Sequence, residues 1–420
     1  MPGKWQSFIV RHMKAILNKK VYFVLLILVI ASLPWHEHLN GACTLLLMLW
    51  TFLYNIYYRP AWHEWRGRPW MLLHWLWYAL FAIGLLWTAD YSEGIFNLEV
   101  HMLLVLVPWM WATVRYEIKQ KYFLLMSFLL SASLALGVFI WNIYQSHLAG
   151  EPLSMKLITE AAPFHHGFIG MYWCSAILIA TLVASKSHNW LFKGLYGVGI
   201  VIFLAGIIMA NAKGAILAIF AIIVMAVILR VLSKKLIVAL WGIGVPLLLV
   251  SFVLAIHLWD ETSYSFKLNY LLNYQSPFDN ILAFLKNSFY HRLGQWHCGV
   301  EVWTQDWQTF LFGVGTGDAT QALNACYTAN DWDWLQGYST HNEFLEEAVR
   351  HGLIGLLLLL AVFLYPVIRS IRRGNYWYVL QSVAFFVALM VDCYLSNQKG
   401  IVWYMWIGSL WYWLPAIDKK

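Results

Sequence analysis

Apolar runs of about 18 residues or more recur along this chain, the length that spans the hydrocarbon core of a bilayer. No other feature limits the possible folds as much. Hydrophobic residues make up 61% of the chain and charged residues 12%. That balance excludes a soluble domain built around one large core. The expected fold is all-α and polytopic. It has about twelve transmembrane helices, at roughly residues 21–35, 41–58, 70–88, 95–114, 122–146, 167–185, 195–211, 214–232, 236–258, 352–370, 376–396 and 401–417. All connections but one are short. The exception runs from Trp259 to His351, about 90 residues, and divides the chain in three. Residues 1–258 form a bundle of nine spans, residues 259–351 a large, mostly helical loop, and residues 352–420 the last three spans.

A net charge of +7 needs no nucleic-acid reading in such a chain, because the placement of the charges explains it. With the N-terminus inside, only seven of the 28 basic residues fall on the outer side: Lys156, Lys213, Lys267, Lys286, Arg292, Arg350 and Lys399. The positive-inside rule then puts both termini in the cytoplasm and the long loop outside. Met1 to Lys20 is basic, and the apolar run after it lacks a small-residue cleavage site. It reads as an uncleaved first span. The cysteines form no CxxC or other metal-like spacing. Cys298 and Cys326 share the long loop and could pair if that loop faces an oxidising compartment.

The outer basic residues run against the bias. Lys156 and Lys267 read as solvated loop charges, and Lys399 as a helix-end anchor. Lys213, in Asn211-Ala212-Lys213-Gly214, stands in apolar surroundings between two spans. A cation there either snorkels or meets an anion. Arg292 opens the helical spacing Arg292, Trp296, Val300, Trp303 and Trp307. It is either an interface anchor or a fork for phosphate oxygens. The glycines of Phe312-Gly313-Val314-Gly315-Thr316-Gly317 lack the lysine and the strand–turn–helix context of a nucleotide loop. They read better as a turn that lets backbone approach a partner. His165-His166 make a feeble metal pair and read as residues at the start of a span, or as substrate contacts. Glu99, His74 and Asp392 lie in or near spans, as functional candidates or as groups satisfied inside the bundle. Most of the 26 tryptophans should form interface belts. Trp332 and Trp334, in Asp331-Trp332-Asp333-Trp334, could instead stack on sugar rings.

The longest polar segment meets the membrane again at Ser339-Thr340-His341-Asn342-Glu343. Thr340 with Glu343 reads as a capping box, so a helix should begin at His341. His341, Leu345, Ala348, Gly352 and Gly355 then share one face. A histidine at the positive end of a helix dipole favours neutral imidazole, able to take a proton. Glu346 lies four residues before Arg350, a spacing that suggests a solvated, ion-paired face.

His341-Asn342, nine residues, then Gly352-Leu353-Ile354-Gly355 resembles the histidine motif of the O-antigen ligase and O-antigen polymerase superfamily. Twelve spans with one large periplasmic loop before the motif resemble the ligase branch. Arg292, the turn Leu311 to Gly315, and Lys213-Gly214-Ala215 are similar to further family features, although the family usually has arginine where this chain has Lys213. Lysine keeps the charge and loses the bidentate fork.

The resemblance implies a glycosyltransferase of the bacterial inner membrane. It would move a glycan from undecaprenyl diphosphate to a sugar hydroxyl of lipid A–core at the periplasmic face, with inversion and without metal, cofactor or nucleotide sugar. His341 would be the base. Lys213 and Arg292 would hold the diphosphate. Asn342, His165, His166, Trp296, Trp303, Gly313 and Gly315 would be further substrate contacts. The alternatives are a polymerase, whose acceptor is another lipid-linked glycan, or a protein O-glycosyltransferase of the same superfamily. A transporter of lipid-linked glycans should show internal repeats or interrupted helices near the midplane. No repeat is evident, and the distinctive residues gather at the outer face.

Overall fold

The computed structural model describes residues 17–58, 69–114, 116–149, 157, 160–257 and 279–414. Most of the basic N-terminal stretch, together with Lys156 and Lys267, lies outside the described residues. Among the described residues every regular element is a helix. In chain order these are α1 (Lys19–Ser32), α2 (Glu37–Tyr58), α3 (Pro69–Gly84), α4 (Tyr91–His101), α5 (Leu103–Thr113), α6 (Ile118–Leu148), α7 (His166–Lys186), α8 (Trp190–Met209) and α9 (Lys213–Val231). Then comes α10, which runs from Lys234–Ala239 through a π-helical turn at Leu240–Gly244 into Val245–His257. After it follow α11 (Asp279–Thr304), α12 (Trp307–Phe312), α13 (Ala319–Ala329), α14 (Glu343–Arg373), α15 (Tyr376–Val391) and α16 (Gln398–Tyr412).

Eight of the described helical stretches are long and apolar enough to cross a membrane, counting α4 and α5 as one. Four of the expected spans appear instead as helices of 14 to 16 residues, namely α1, α3, α15 and α16. Local chemistry sets their ends. Asn18 caps α1 and Asn375 caps α15, each accepting backbone N–H bonds. A stretch read as one span, 95–114, is interrupted at Met102 between α4 and α5. The outward faces of α8 and α9 expose large aliphatic and aromatic residues such as Leu195, Ile208 and Phe220. Such faces, on helices whose backbone groups are satisfied internally and whose length matches a bilayer, fit a lipid surround. This is a multi-pass membrane protein.

Two apolar cores organise the chain. The larger fills the bundle and includes Trp77, Trp173, Trp403 and Trp406, all fully buried. The smaller is built from α11, α13 and the start of α14, around Leu293, Val300, Trp303, Leu323, Tyr327 and Leu345. Cys298 and Cys326 are joined within it as a disulfide. By the chain-entropy argument, closing a loop of 28 residues contributes about 3–4 kcal/mol. The bonded pair offers no thiolate to a metal, although Glu301 stands beside it.

Helix α14 joins the two cores, and it is not continuous. Gly352 sits at φ 65°, ψ −159°, a conformation essentially restricted to glycine. The turn after α12 docks into this break. Val314 N–H donates to the Val349 carbonyl at 2.9 Å, and Gly315 N–H to the Arg350 carbonyl at 3.1 Å. Gly313 and Gly352 let the two backbones touch. A Cβ on Gly313 would come within 2.3 Å of the Arg350 carbonyl oxygen, and one on Gly352 within 2.3 Å of the Leu311 carbonyl carbon.

Candidate functional site

The site forms where α14 begins, against the turn between α15 and α16. The start of α14 departs from the expected register. Asn342 is the N-cap, its side chain accepting from Phe344 N–H at 3.1 Å and Leu345 N–H at 3.2 Å. The helix therefore starts at Glu343, and His341 stands outside it at φ 47°, a left-handed position. Thr340 does not cap. Its N–H and its hydroxyl each lie 3.0 Å from Glu346 Oε2, so the glutamate that reaches back is one turn later than Glu343. Asparagine is as good a cap as threonine, and the choice between them turns on tertiary partners.

His341 Nδ1 lies 2.7 Å from Asp392 Oδ1. Asp392 ends α15, and the same oxygen accepts the Cys393 N–H at 2.8 Å. Burial alone would raise the Asp392 carboxyl. The His341 hydrogen bond and charge, the Cys393 N–H and the charge of Arg292 outweigh it, and the group sits below its ordinary 3.8. An ionised carboxylate can only accept, so Nδ1 is the nitrogen that donates to Asp392, and Nε2 is the one that can gain or release a proton.

A buried clamp holds the two halves of this pair together. Glu343 accepts Leu395 N–H at 2.6 Å and the Ser396 hydroxyl at 3.1 Å. Arg350 donates to Ser396 Oγ and to Glu346 Oε1, each at 3.3 Å. Both anchor points, Leu395 and Ser396, lie in the turn that follows Asp392. A second dyad follows on the same helix. Glu347 Oε1 lies 2.8 Å from His351 Nδ1 and accepts the Trp77 indole N–H at 3.0 Å. The expected Glu346–Arg350 pair is therefore present, but its solvated face is not. Glu343, Glu346, Glu347, Arg350 and His351 are all buried. They are tolerable there because Glu346 pairs with Arg350 and Glu347 with His351, while Glu343 is held by hydrogen bonds from the neighbouring turn.

The two cations singled out by orientation converge here. Arg292, on α11, lies within electrostatic reach of Lys213, Asp392, Tyr394 and His291. Lys213 is the first residue of α9 and is likewise felt by His166. His165 caps α7, its ring nitrogen accepting Gly167 N–H at 3.3 Å, and its ring lies 4.3 Å from that of His166. The Tyr394 hydroxyl donates to the Gly167 carbonyl at 3.1 Å, tying the start of α7 to the Asp392 turn. Burial, then Arg292 and His341, pushes the His291 imidazole below its ordinary value, so the ring is neutral at neutral pH.

Other expected contacts sit elsewhere. Trp303 is buried in the small core, stacked on Phe310 at 5.2 Å, with its N–H on the Phe310 carbonyl at 3.0 Å. Trp296 packs against the same core. Gly313 and Gly315 serve the helix break, on the order of 13 Å along α14 from Asn342. Asn342 spends its side-chain oxygen on the cap. His291, Tyr338 and Tyr394 carried no motif, and Asp392 stood in sequence only as one ionisable residue near a span.

Fold and site together define an all-helical, multi-pass membrane protein with a histidine–carboxylate pair and two cations gathered at one end. The stretch 198–360 matches the family model described as O-antigen ligase. It includes Lys213, Arg292 and His341, and it ends before Asp392. Among curated proteins no match to the chain was found.

Proposed function

We propose that the protein transfers a glycan from undecaprenyl diphosphate to a sugar hydroxyl of lipid A–core, at the periplasmic face of the bacterial inner membrane. The observation that carries this reading is the 2.7 Å bond from His341 Nδ1 to Asp392, which assigns proton uptake to Nε2, with Arg292 in electrostatic reach of Asp392 and Lys213 in reach of Arg292. The acceptor hydroxyl gives its proton to Nε2, and its oxygen attacks the anomeric carbon from the side opposite the diphosphate. The bond from that carbon to the phosphate oxygen breaks, and its electron pair leaves with the diphosphate. Lys213 and Arg292 neutralise the charge that develops there. Asp392 balances the positive charge on the ring. One displacement inverts the anomeric centre. Diphosphate leaves without protonation, so no second carboxylic acid is required. The disulfide supports an oxidising compartment for the long segment, as does the crowding of basic residues on the other side. We take residues 259–351 as that periplasmic segment, between bundles 1–258 and 352–420.

The test is the lipopolysaccharide pattern of a deletion strain complemented with variants. Deletion should leave lipid A–core without glycan while lipid-linked polymer accumulates. Lys213→Arg should restore the wild-type pattern. Lys213→Ala should reduce transfer by roughly 10²-fold, as removal of one charge-stabilising donor does. A core bearing a single repeat after deletion would mean polymerase instead. A wild-type pattern with Lys213→Ala would remove the diphosphate role from that residue.

A further inference from the structure

The segment between α13 and His341 shows two large aromatic rings to solvent without being loose. Leu335 is fully buried in the small core, and Trp332 packs partly buried against it. Gln336 Nε2 donates to the Asn324 carbonyl at 3.0 Å and to Thr328 Oγ1 at 2.7 Å, and Gly337 N–H donates to Asn324 Oδ1 at 2.8 Å. Tyr338 N–H closes a turn onto the Leu335 carbonyl at 3.1 Å. Between these anchors Trp334 stays 40% exposed and Tyr338 46%.

Tyr338 borders the His341 ring directly, and Trp334 is linked to it through His291. Tyr338 lies 5.9 Å, centroid to centroid, from the His341 ring. Trp334 stands edge-on to His291 at 4.7 Å, and His291 is itself within electrostatic reach of His341 and Arg292. Rigid, uncharged aromatic faces do not hold a diphosphate. They fit the C–H face of a pyranose, and a neutral imidazole beside them can bond its hydroxyls. Since His341 must meet the nucleophile, a sugar seated on these rings is the one that attacks.

We propose that Trp334 and Tyr338 form the acceptor subsite, stacking on a pyranose ring so that its hydroxyl reaches His341. This rests on the glycan-transfer reading above. The test uses the full-length protein in nanodiscs, with initial rates measured against lipid A–core at saturating lipid-linked glycan, and then the reverse. Trp334→Ala and Tyr338→Ala should each raise the acceptor KM about five- to tenfold and leave the donor KM unchanged. Trp334→Phe should recover most of the loss. Trp307→Ala, at an exposed tryptophan that begins α12 and lies outside this cluster, should change neither constant. An unchanged acceptor KM in the alanine variants, or an equal rise in both constants, would overturn the subsite. Binding is also read without turnover, by saturation-transfer NMR of the core oligosaccharide freed from lipid A by mild acid. His341→Ala protein should bind it as the wild type does, and Trp334→Ala protein about five- to tenfold more weakly. That outcome supports the subsite even if no transfer is seen, whereas binding undiminished in Trp334→Ala overturns it.

Discussion

Asp392→Ala is expected to slow glycan transfer by about 10³–10⁴-fold while the protein still folds into the membrane. The magnitude follows from what a buried carboxylate does for a catalytic histidine elsewhere: it sets the tautomer and balances the charge of the protonated ring. Here one oxygen of Asp392 holds both His341 Nδ1 and the Cys393 N–H. Asp392→Asn should lose a comparable amount, because an amide keeps the shape but neither balances the charged ring nor fixes its tautomer. Initial rates with purified protein measure the series. Near wild-type turnover in Asp392→Ala would remove the residue from the reaction. The carboxyl titrates below its ordinary 3.8 in the fold. Its charge, and the stability that goes with it, is thus present at every pH above that value. It is lost only as pH falls through the lower folded value. Decline of activity in mildly acidic buffer should not be traced to Asp392.

The second large effect is on folding. Gly352→Ala should destabilise the protein by roughly 2–6 kcal/mol. About 1–3 kcal/mol arises from a conformation that alanine avoids, and about 1–3 kcal/mol from displacing packed neighbours. The added methyl would lie 2.3 Å from the Leu311 carbonyl carbon and 2.5 Å from Phe312 N. These are backbone atoms, and the Val314 and Gly315 hydrogen bonds to α14 keep them from moving aside. Gly137 on α6 has no atom within 4 Å of a built Cβ, so Gly137→Ala should be neutral or slightly stabilising. Thermal unfolding in detergent compares the two. An unchanged midpoint for Gly352→Ala would show that the helix break is not required.

These two sites mark where sequence reasoning reaches and where it stops. Long apolar runs are a direct physical signal, and α2, α6, α7, α8 and α9 lie close to where hydropathy puts them. Lys213 and Arg292 stand out in the sequence because, in the orientation expected from the positive-inside rule, they oppose a strong bias. The spacing from His341 to Gly352 is legible as a motif, and its structural meaning is the nine-residue segment from cap to helix break. The burial of Glu343, Glu346 and Glu347 was not legible. A glutamate four residues before an arginine reads the same on a wet face as in a sealed one, and what seals this one is Trp77 and the 393–396 turn, far away in sequence. For the same reason the partnership of His341 with Asp392, 51 residues apart, could not be seen. The helical spacing that put Trp296 and Trp303 in line with Arg292 is equally the spacing of a core face, and the small core claims both.

The proposed reaction stands or falls on the proton taken by His341. The direct measurement is single-turnover transfer by the purified protein in nanodiscs, from undecaprenyl-diphosphate-linked glycan to lipid A–core, with the product's anomeric configuration read by NMR. Wild-type protein should form the inverted linkage. His341→Ala, at equal folded concentration, should form it at least about 10³-fold more slowly. Transfer by His341→Ala at the wild-type rate, or a retained anomeric configuration, would contradict it.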